Sequence, residues 1–292
     1  TCEDLAGTVL GIGAAKNKKK DKEKNQEKSY NKEELDALFF ISGQQIKNLA
    51  QLAAEHADEK GKLPEKVKSK LKTDASEVLK STPGFEMVLF GRMVATDPSL
   101  NFDAASQVAH SISTHEVRTE YDYFTAVDDL MSENNAGSGH LGTIEFNSST
   151  LYRYSTINVK ELQEQKIGEI ARVVRLFAEA FIYSMPTGRQ NAFANRTVPE
   201  AVYITIREDQ PVNFCGAFEE AIEGRNGYSK PSVLRLVEYA NKSYQNFVEA
   251  PKYAMGTGEG LEKICVSQPM KNNLDLLEGY VRELLHDTEA VK

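Results

Sequence analysis

Apolar residues along this chain recur with two different periods. Ile46, Leu49, Leu52 and Ala53 fall on one helical face behind the capping pair Ser42-x-x-Gln45, so a helix is predicted from there to about Gly61. Pro64 opens a second, to about Ser81, with Val67, Leu71, Ala75, Val78 and Leu79 at helical spacing. An earlier box, Asn31-x-x-Glu34, predicts a short helix, and Phe39-Phe40-Ile41 a brief strand. The run Phe85 to Phe90, extended through Gly91-Arg92-Met93 to Ala95, reads as a buried strand. From Gln107 to Val117 the period is two, placing Val108, His110, Ile112 and Thr114 on one face and Ala109, Ser111, Ser113 and His115 on the other. Arg118 to Tyr123 reads as a polar connection, Phe124 to Glu133 as a short helix, and Asn134 to Gly139 as a flexible loop. Two strand-like pieces follow between Gly142 and Asn158.

The longest helical pattern runs from Lys160 to Met185 and stops at Pro186-Thr187-Gly188. Arg189-Gln190-Asn191 then form a short exposed loop. Val202, Ile204 and Ile206 alternate with Tyr203 and Thr205 in a half-buried strand, turned at Glu208 to Pro211 toward another short strand. Helices are predicted over Pro231–Val248 and Leu274–His286, with a short strand at Glu262–Ser267. Strands, a long helix and strands again define an α+β fold, with helices on one face of an antiparallel sheet.

Composition narrows the function classes. The 292 residues suffice for one large domain or two smaller ones. No apolar run approaches the roughly 18 residues of a membrane span, so no membrane partner is expected. Cys2, Cys215 and Cys265 are odd in number and far apart, which suits free thiols in a reducing cytoplasm. Residues 16–32 are lysine-rich and nearly devoid of apolar side chains. They predict a solvated, disordered loop, or a contact to nucleic acid. The net charge of −8 argues against a nucleic-acid binder, although a basic groove can sit on an acidic protein.

His110, His115, Asp122, Asp128, Asp129 and His140 raise the question of a metal site. On a strand, His110 and His115 face opposite sides, and no H-x-x-x-H or C-x-x-C spacing supports ligation. No metal, cofactor or catalytic residue is expected. A metal-dependent RNA endonuclease is the alternative.

Several blocks resemble the backbone subunit of the type I-E CRISPR Cascade complex, the CasC family. They are Leu89-Phe90-Gly91-Arg92-Met93, Gln107 to His115, Phe124 to Leu130, Gly142-Thr143-x-Glu145-Phe146 and Tyr152-Arg153-Tyr154. Pro186-x-Gly188-x-Gln190-x-x-x-Ala194 follows in the same order. The resemblance covers roughly residues 84–220. It implies a helical fingers region at 1–83 and an RNA-recognition-like palm at 84–292, with a thumb hairpin inserted at about 97–141. It also implies a non-enzymatic protein that polymerises along CRISPR RNA in antiviral defence. Its expected partners are that RNA, the target DNA strand paired to it, copies of itself and other Cascade subunits. The family begins with a strand and a basic segment that have no counterpart ahead of Thr1. The resemblance therefore implies a fragment, or a segment cut away or lost.

On this basis RNA contacts are expected at Arg92, Met93, His110, Phe124, Thr125, Val127, Leu141, Gly188, Arg189, Gln190 and Asn191. Each has a plainer reading. Arg92 suits a phosphate or an ordinary surface charge. Phe124, Val127 and Leu141 wedge against nucleobases or hold the hairpin together. Arg189-Gln190-Asn191 meet phosphates and ribose hydroxyls or simply leave a helix.

Overall fold

The computed structural model describes residues 39–57, 65–81, 83–94, 97–126 and 140–290. The lysine-rich run, the Asn31 box, Val127 and the loop at 134–139 lie outside them. The chain divides into two compact units. One runs to Gln107 and includes Ile157–Ile170; the other holds Val108–Thr156 and the chain from Ala171 onward. Residues 84–107 thus belong with the helical unit.

In the first unit, α1 (Gly43–His56) starts with the capping box the sequence predicts. Ser42 Oγ accepts from Gln45 N–H, and Gln45 Oε1 accepts from Ser42 N–H, each at 3.2 Å. Gln45 is fully buried, and its Nε2 donates to Leu79 O in α2 (Glu65–Ser81) at 2.8 Å. Leu49, Ala75, Leu79, Val94 and Leu100 form the core here, with Phe39, Ile41, Leu52 and Val78 packed against it. Phe39–Ile41 does not form the expected strand.

The run expected as a strand from Gly84 to Ala95 is a six-residue helix, α3 (Phe85–Phe90). Met87, Val88 and Leu89 are buried in succession, a pattern with neither period, while Phe85 and Phe90 are exposed. Gly91 closes the helix at φ +78°, a conformation open to glycine and costly for other residues, and its N–H bonds Met87 O at 2.8 Å. Arg92 then forms an isolated antiparallel bridge with Phe102.

The chain passes between the units along β1 (Ser106–Val108) and returns along β6 (Ser155–Ile157). Between them lie β2 (Ile112–Ser113), β3 (Glu120–Ala126), β4 (His140–Phe146) and β5 (Leu151–Tyr152). β2 pairs with β5, and β3 with β4, both antiparallel. The helix expected from Phe124 begins instead as the end of β3.

The long helix expected over 160–185 is two, α4 (Val159–Glu164) and α5 (Ile170–Tyr183). Lys166 and Glu169 take positive φ between them, at 55° and 54°. Next come α6 (Gln190–Phe193), β7 (Val202–Ile206), α7 (Ser229–Asn246), β8 (Tyr253–Thr257), β9 (Val266–Ser267) and α8 (Met270–Ala290). The segment after Pro211 forms a 3-10 turn at Cys215–Phe218 rather than a strand.

β7, β8 and β9 form a three-stranded sheet, antiparallel across β7–β8 and parallel across β8–β9, so the expected antiparallel arrangement holds for the first pair only. Val233 and Val237 of α7 pack with Leu261 against Ala201, Tyr203, Ile264 and Cys265. Tyr280 of α8 stacks on Tyr253 of β8 at 3.9 Å. Arg175 of α5 pairs with Asp275 and Glu278 of α8 at 3.2 and 3.4 Å. The architecture is α+β.

Candidate nucleic-acid interface

The register of the β3–β4 hairpin separates its residues into two faces. Tyr121 pairs with Glu145, Tyr123 with Thr143 and Thr125 with Leu141, so these six share a face. Tyr121, Tyr123 and Leu141 are 68%, 66% and 67% exposed, although all three are large and apolar or amphipathic. On the other face Glu120 pairs with Phe146, Asp122 with Ile144 and Phe124 with Gly142. The Phe124 ring lies across Gly142 so closely that a Cβ there would sit 2.6 Å from Cζ. Phe124 keeps 42% of its surface exposed. Phe146 meets Phe193 of α6 edge to face at 5.3 Å. Of the expected wedge residues, Phe124 and Leu141 thus sit on opposite faces, and Thr125 lies with Leu141.

The base of the hairpin is fastened by polar contacts. Thr114 N–H donates to Thr150 O at 3.0 Å, and Ile222 N–H donates to Thr114 O at 2.9 Å. Ser232 Oγ, on α7, donates to Thr114 Oγ1 at 2.8 Å. His115 is buried and bonded at both ring nitrogens, with Glu116 O at 2.7 Å and Thr150 N–H at 3.1 Å. His110, the site candidate of the two histidines, is exposed.

A second feature of the same unit follows α5. Gly188 has open space where a side chain would be, and Arg189 and Asn191 are exposed. Arg189-Gln190-Asn191 is not a plain loop. Gln190 and Asn191 belong to α6, a single turn flanked by Arg189 at φ 53° and Ala194 at φ 47°. Gln190 turns its carboxamide oxygen to Nε and Nη2 of Arg196, the orientation that satisfies both side chains. Together they line a cavity of about 350 Å³. Arg153 lies over the Phe181 ring of α5, 4.5 Å from its centroid.

Arg92 is neither a surface charge nor placed for a phosphate. Only 5% of it is exposed. Nε donates to Leu100 O at 2.9 Å, Nη2 to Leu79 O at 3.1 Å and Nη1 to Phe40 O at 3.4 Å. The rings of Phe39 and Phe102 flank it, each 5.0 Å away. Desolvation by burial lowers its pKa from the usual arginine value. Its guanidinium is committed to the helical unit. The next residue, Met93, is 83% exposed. Among the described residues, no group of three or more His, Cys, Asp or Glu side chains is placed to hold a metal ion.

Tyr121 and Tyr123 are exposed hairpin aromatics absent from the residues expected from the sequence. Their signal was the alternation Glu120-Tyr121-Asp122-Tyr123, concealed by reading the stretch as a polar connection. The loop containing Arg196 and Val198 had no such pattern.

No helix among the described residues is long and apolar enough to cross a membrane. The chain superposes on one from a CRISPR RNA-guided surveillance complex in a pre-nicking state, with a TM-score of 0.75 and 28% identity, covering 95% of this chain and 78% of that one. A chain from a second CRISPR RNA-guided surveillance complex gives a TM-score of 0.60 and 31% identity, over 68% of this chain and 78% of that one. No curated protein matches the sequence. The α+β architecture and these likenesses define a Cas protein of the Cascade type. Within that class, the family model for the CT1975-like protein matches residues 5–276, and the chain belongs to this family.

Proposed function

We propose that the chain is a non-catalytic backbone subunit of a Cascade surveillance complex, binding CRISPR RNA and polymerising along it. The observation that carries this reading is the likeness to a chain of an RNA-guided surveillance complex over 95% of the present chain. In this reading the sheet of the second unit serves as an RNA-recognition-like palm, and the β3–β4 hairpin serves as the thumb. The hairpin supports it, because Tyr121, Tyr123 and Leu141 form an exposed face that its own unit leaves uncovered. Aromatic faces of this kind stack on unpaired bases irrespective of sequence. The protein then holds the RNA by shape and backbone, while base pairing to the target DNA strand reads sequence.

The test is co-expression with a guide RNA and the other Cascade subunits, followed by purification and electron microscopy. Guide-length RNA should co-purify, several copies of the chain should repeat along it, and the RNA should stay intact with Mg²⁺ or Mn²⁺. Failure to retain RNA would overturn the reading, and RNA cleavage by the purified chain would overturn its non-catalytic part.

A further inference from the structure

We propose that the cavity beside the C-terminal end of α5 is a pocket for one unstacked nucleobase with its phosphate. The proposal rests on the RNA-binding reading above and names a site within it. The cavity, at about 350 Å³, falls in the range of roughly 300–1,000 Å³ usual for small-ligand sites. Its apolar wall is built from Tyr183, Met185, Pro186 and Val198, and its polar groups are centred on Gln190 and Arg196. A flat ring that leaves a base stack needs just such a combination: an aromatic or apolar surface, and an amide or guanidinium for its edge. A carboxamide offers a donor and an acceptor side by side, and a guanidinium suits a phosphate. The Gln190–Arg196 pair uses the amide oxygen with Nε and Nη2.

The loop is held in shape at some energetic cost. Arg189 and Ala194 are both non-glycine residues in the left-handed region, a strained conformation that persists where the surroundings impose it. Between Arg189 and Arg196 the backbone closes on itself, with Phe193 N–H on Arg189 O, Ala194 N–H on Gln190 O and Arg196 N–H on Ala194 O. The covered Asn195 Oδ1 has no hydrogen-bond partner among the described residues. Phe193 joins this loop to the hairpin through Phe146. The pocket thus adjoins the element proposed to meet RNA, and its walls are set before a base arrives.

Two sources supply this chemistry, a base of the bound RNA or a free nucleotide, and the experiment separates them. Guide RNAs with 4-thiouridine at successive positions are irradiated on the full chain, and cross-links are mapped by mass spectrometry. In parallel, binding of AMP and UMP is measured calorimetrically. Val198→Trp fills the cavity mouth from a residue that is 76% exposed, and Gln190→Ala removes the edge-reading group without adding bulk. The expected result is cross-linking within residues 183–198 at particular RNA positions, reduced about tenfold by either variant, as loss of one stacked base implies. Full RNA binding with no cross-link in that segment overturns the pocket and leaves the backbone reading standing. Loss of RNA binding with mononucleotide binding that both variants abolish keeps the pocket as a free-nucleotide site and overturns the backbone reading. Absence of both overturns both.

Discussion

His115 and Tyr228 stack ring on ring, their centroids 3.7 Å apart and their planes 13° from parallel. The hydrogen bonds of His115 fix its state. Nε2 accepts from Thr150 N–H, so Nδ1 carries the hydrogen and donates to Glu116 O. One neutral imidazole therefore joins the chain entering the hairpin, at Glu116, to the chain leaving it, at Thr150. The stack extends that joint to the residue preceding α7.

Replacing His115 by alanine should loosen the hairpin base first. Two part-buried backbone groups lose their partner, and the stack is lost as well, an expected cost of about 2 kcal/mol. Hydrogen exchange should accelerate in peptides spanning 112–117 and 147–152 before the rest of the second unit. Uniform exchange with an unchanged melting temperature would rule out the clamp.

Alkaline pH should weaken the protein in a defined window. Burial pushes the Cys265 thiol up to about 11, with the negative charge of Glu262 adding to the shift, and Sγ donates to Leu261 O at 3.3 Å. A raised thiol pKa favours the neutral form in the folded state. That contribution is present below the ordinary value of 9.0 and is lost as pH rises toward about 11. Tyr152 and Tyr203, whose phenols burial holds above their usual value, act with the same sign. The urea midpoint should fall between pH 9 and 11, and less steeply in Cys265→Ala. At pH 8, iodoacetamide should label the exposed Cys215 peptide and spare that of Cys265. Equal labelling of both would contradict the half-buried, protonated thiol.

Where one period dominates, the sequence was readable. β7 alternates cleanly, α2, α7 and α8 carry helical stripes, and Ser42-x-x-Gln45 forms the capping box its spacing implies. The misread elements lack that dominance. Phe85–Phe90 is six apolar-rich residues between two glycines, too short for either period to emerge, and its helix is set by closure at Gly91. The break between α4 and α5 places Lys166 and Glu169 at positive φ, which neither residue type announces. Phe124 and Leu141 are expected as RNA contacts by resemblance alone, and their opposite faces depend on the β3–β4 register. The burial of Arg92 is not legible in the sequence, because its site, made of carbonyls from Phe40, Leu79 and Leu100, is assembled from three distant segments.

Arg92 supplies the next test. Lysine keeps the charge but cannot span three carbonyls as the planar fork does, so Arg92→Lys should leave buried acceptors unpaired. A loss of about 3 kcal/mol in urea unfolding is expected. The salt dependence of RNA binding by the folded variant should match wild type, since no phosphate contact disappears. Unchanged stability with a flattened salt dependence would restore the phosphate reading.

The hairpin allows its two faces to be separated. Phe124 is partly exposed and leans on Gly142, so Phe124→Ala should cost about 0.2–1 kcal/mol, the range for a cross-strand pair, rather than the 3–5 kcal/mol of a core phenylalanine. Gly142→Ala should displace the same ring, because the added Cβ overlaps it, and should mimic Phe124→Ala in stability. Tyr121 and Tyr123 project from the opposite face and are mostly exposed. Tyr121→Ala with Tyr123→Ala should therefore change stability by no more than about 0.5 kcal/mol. If this face stacks on RNA, the same double variant should weaken RNA binding by about 1–3 kcal/mol for each base lost. Thermal melting and RNA titration of the three variants, on the complex with its guide, decide between the faces. Weakened RNA binding in Phe124→Ala and Gly142→Ala, with the tyrosine double variant binding normally, would assign the RNA contact to the Phe124 face.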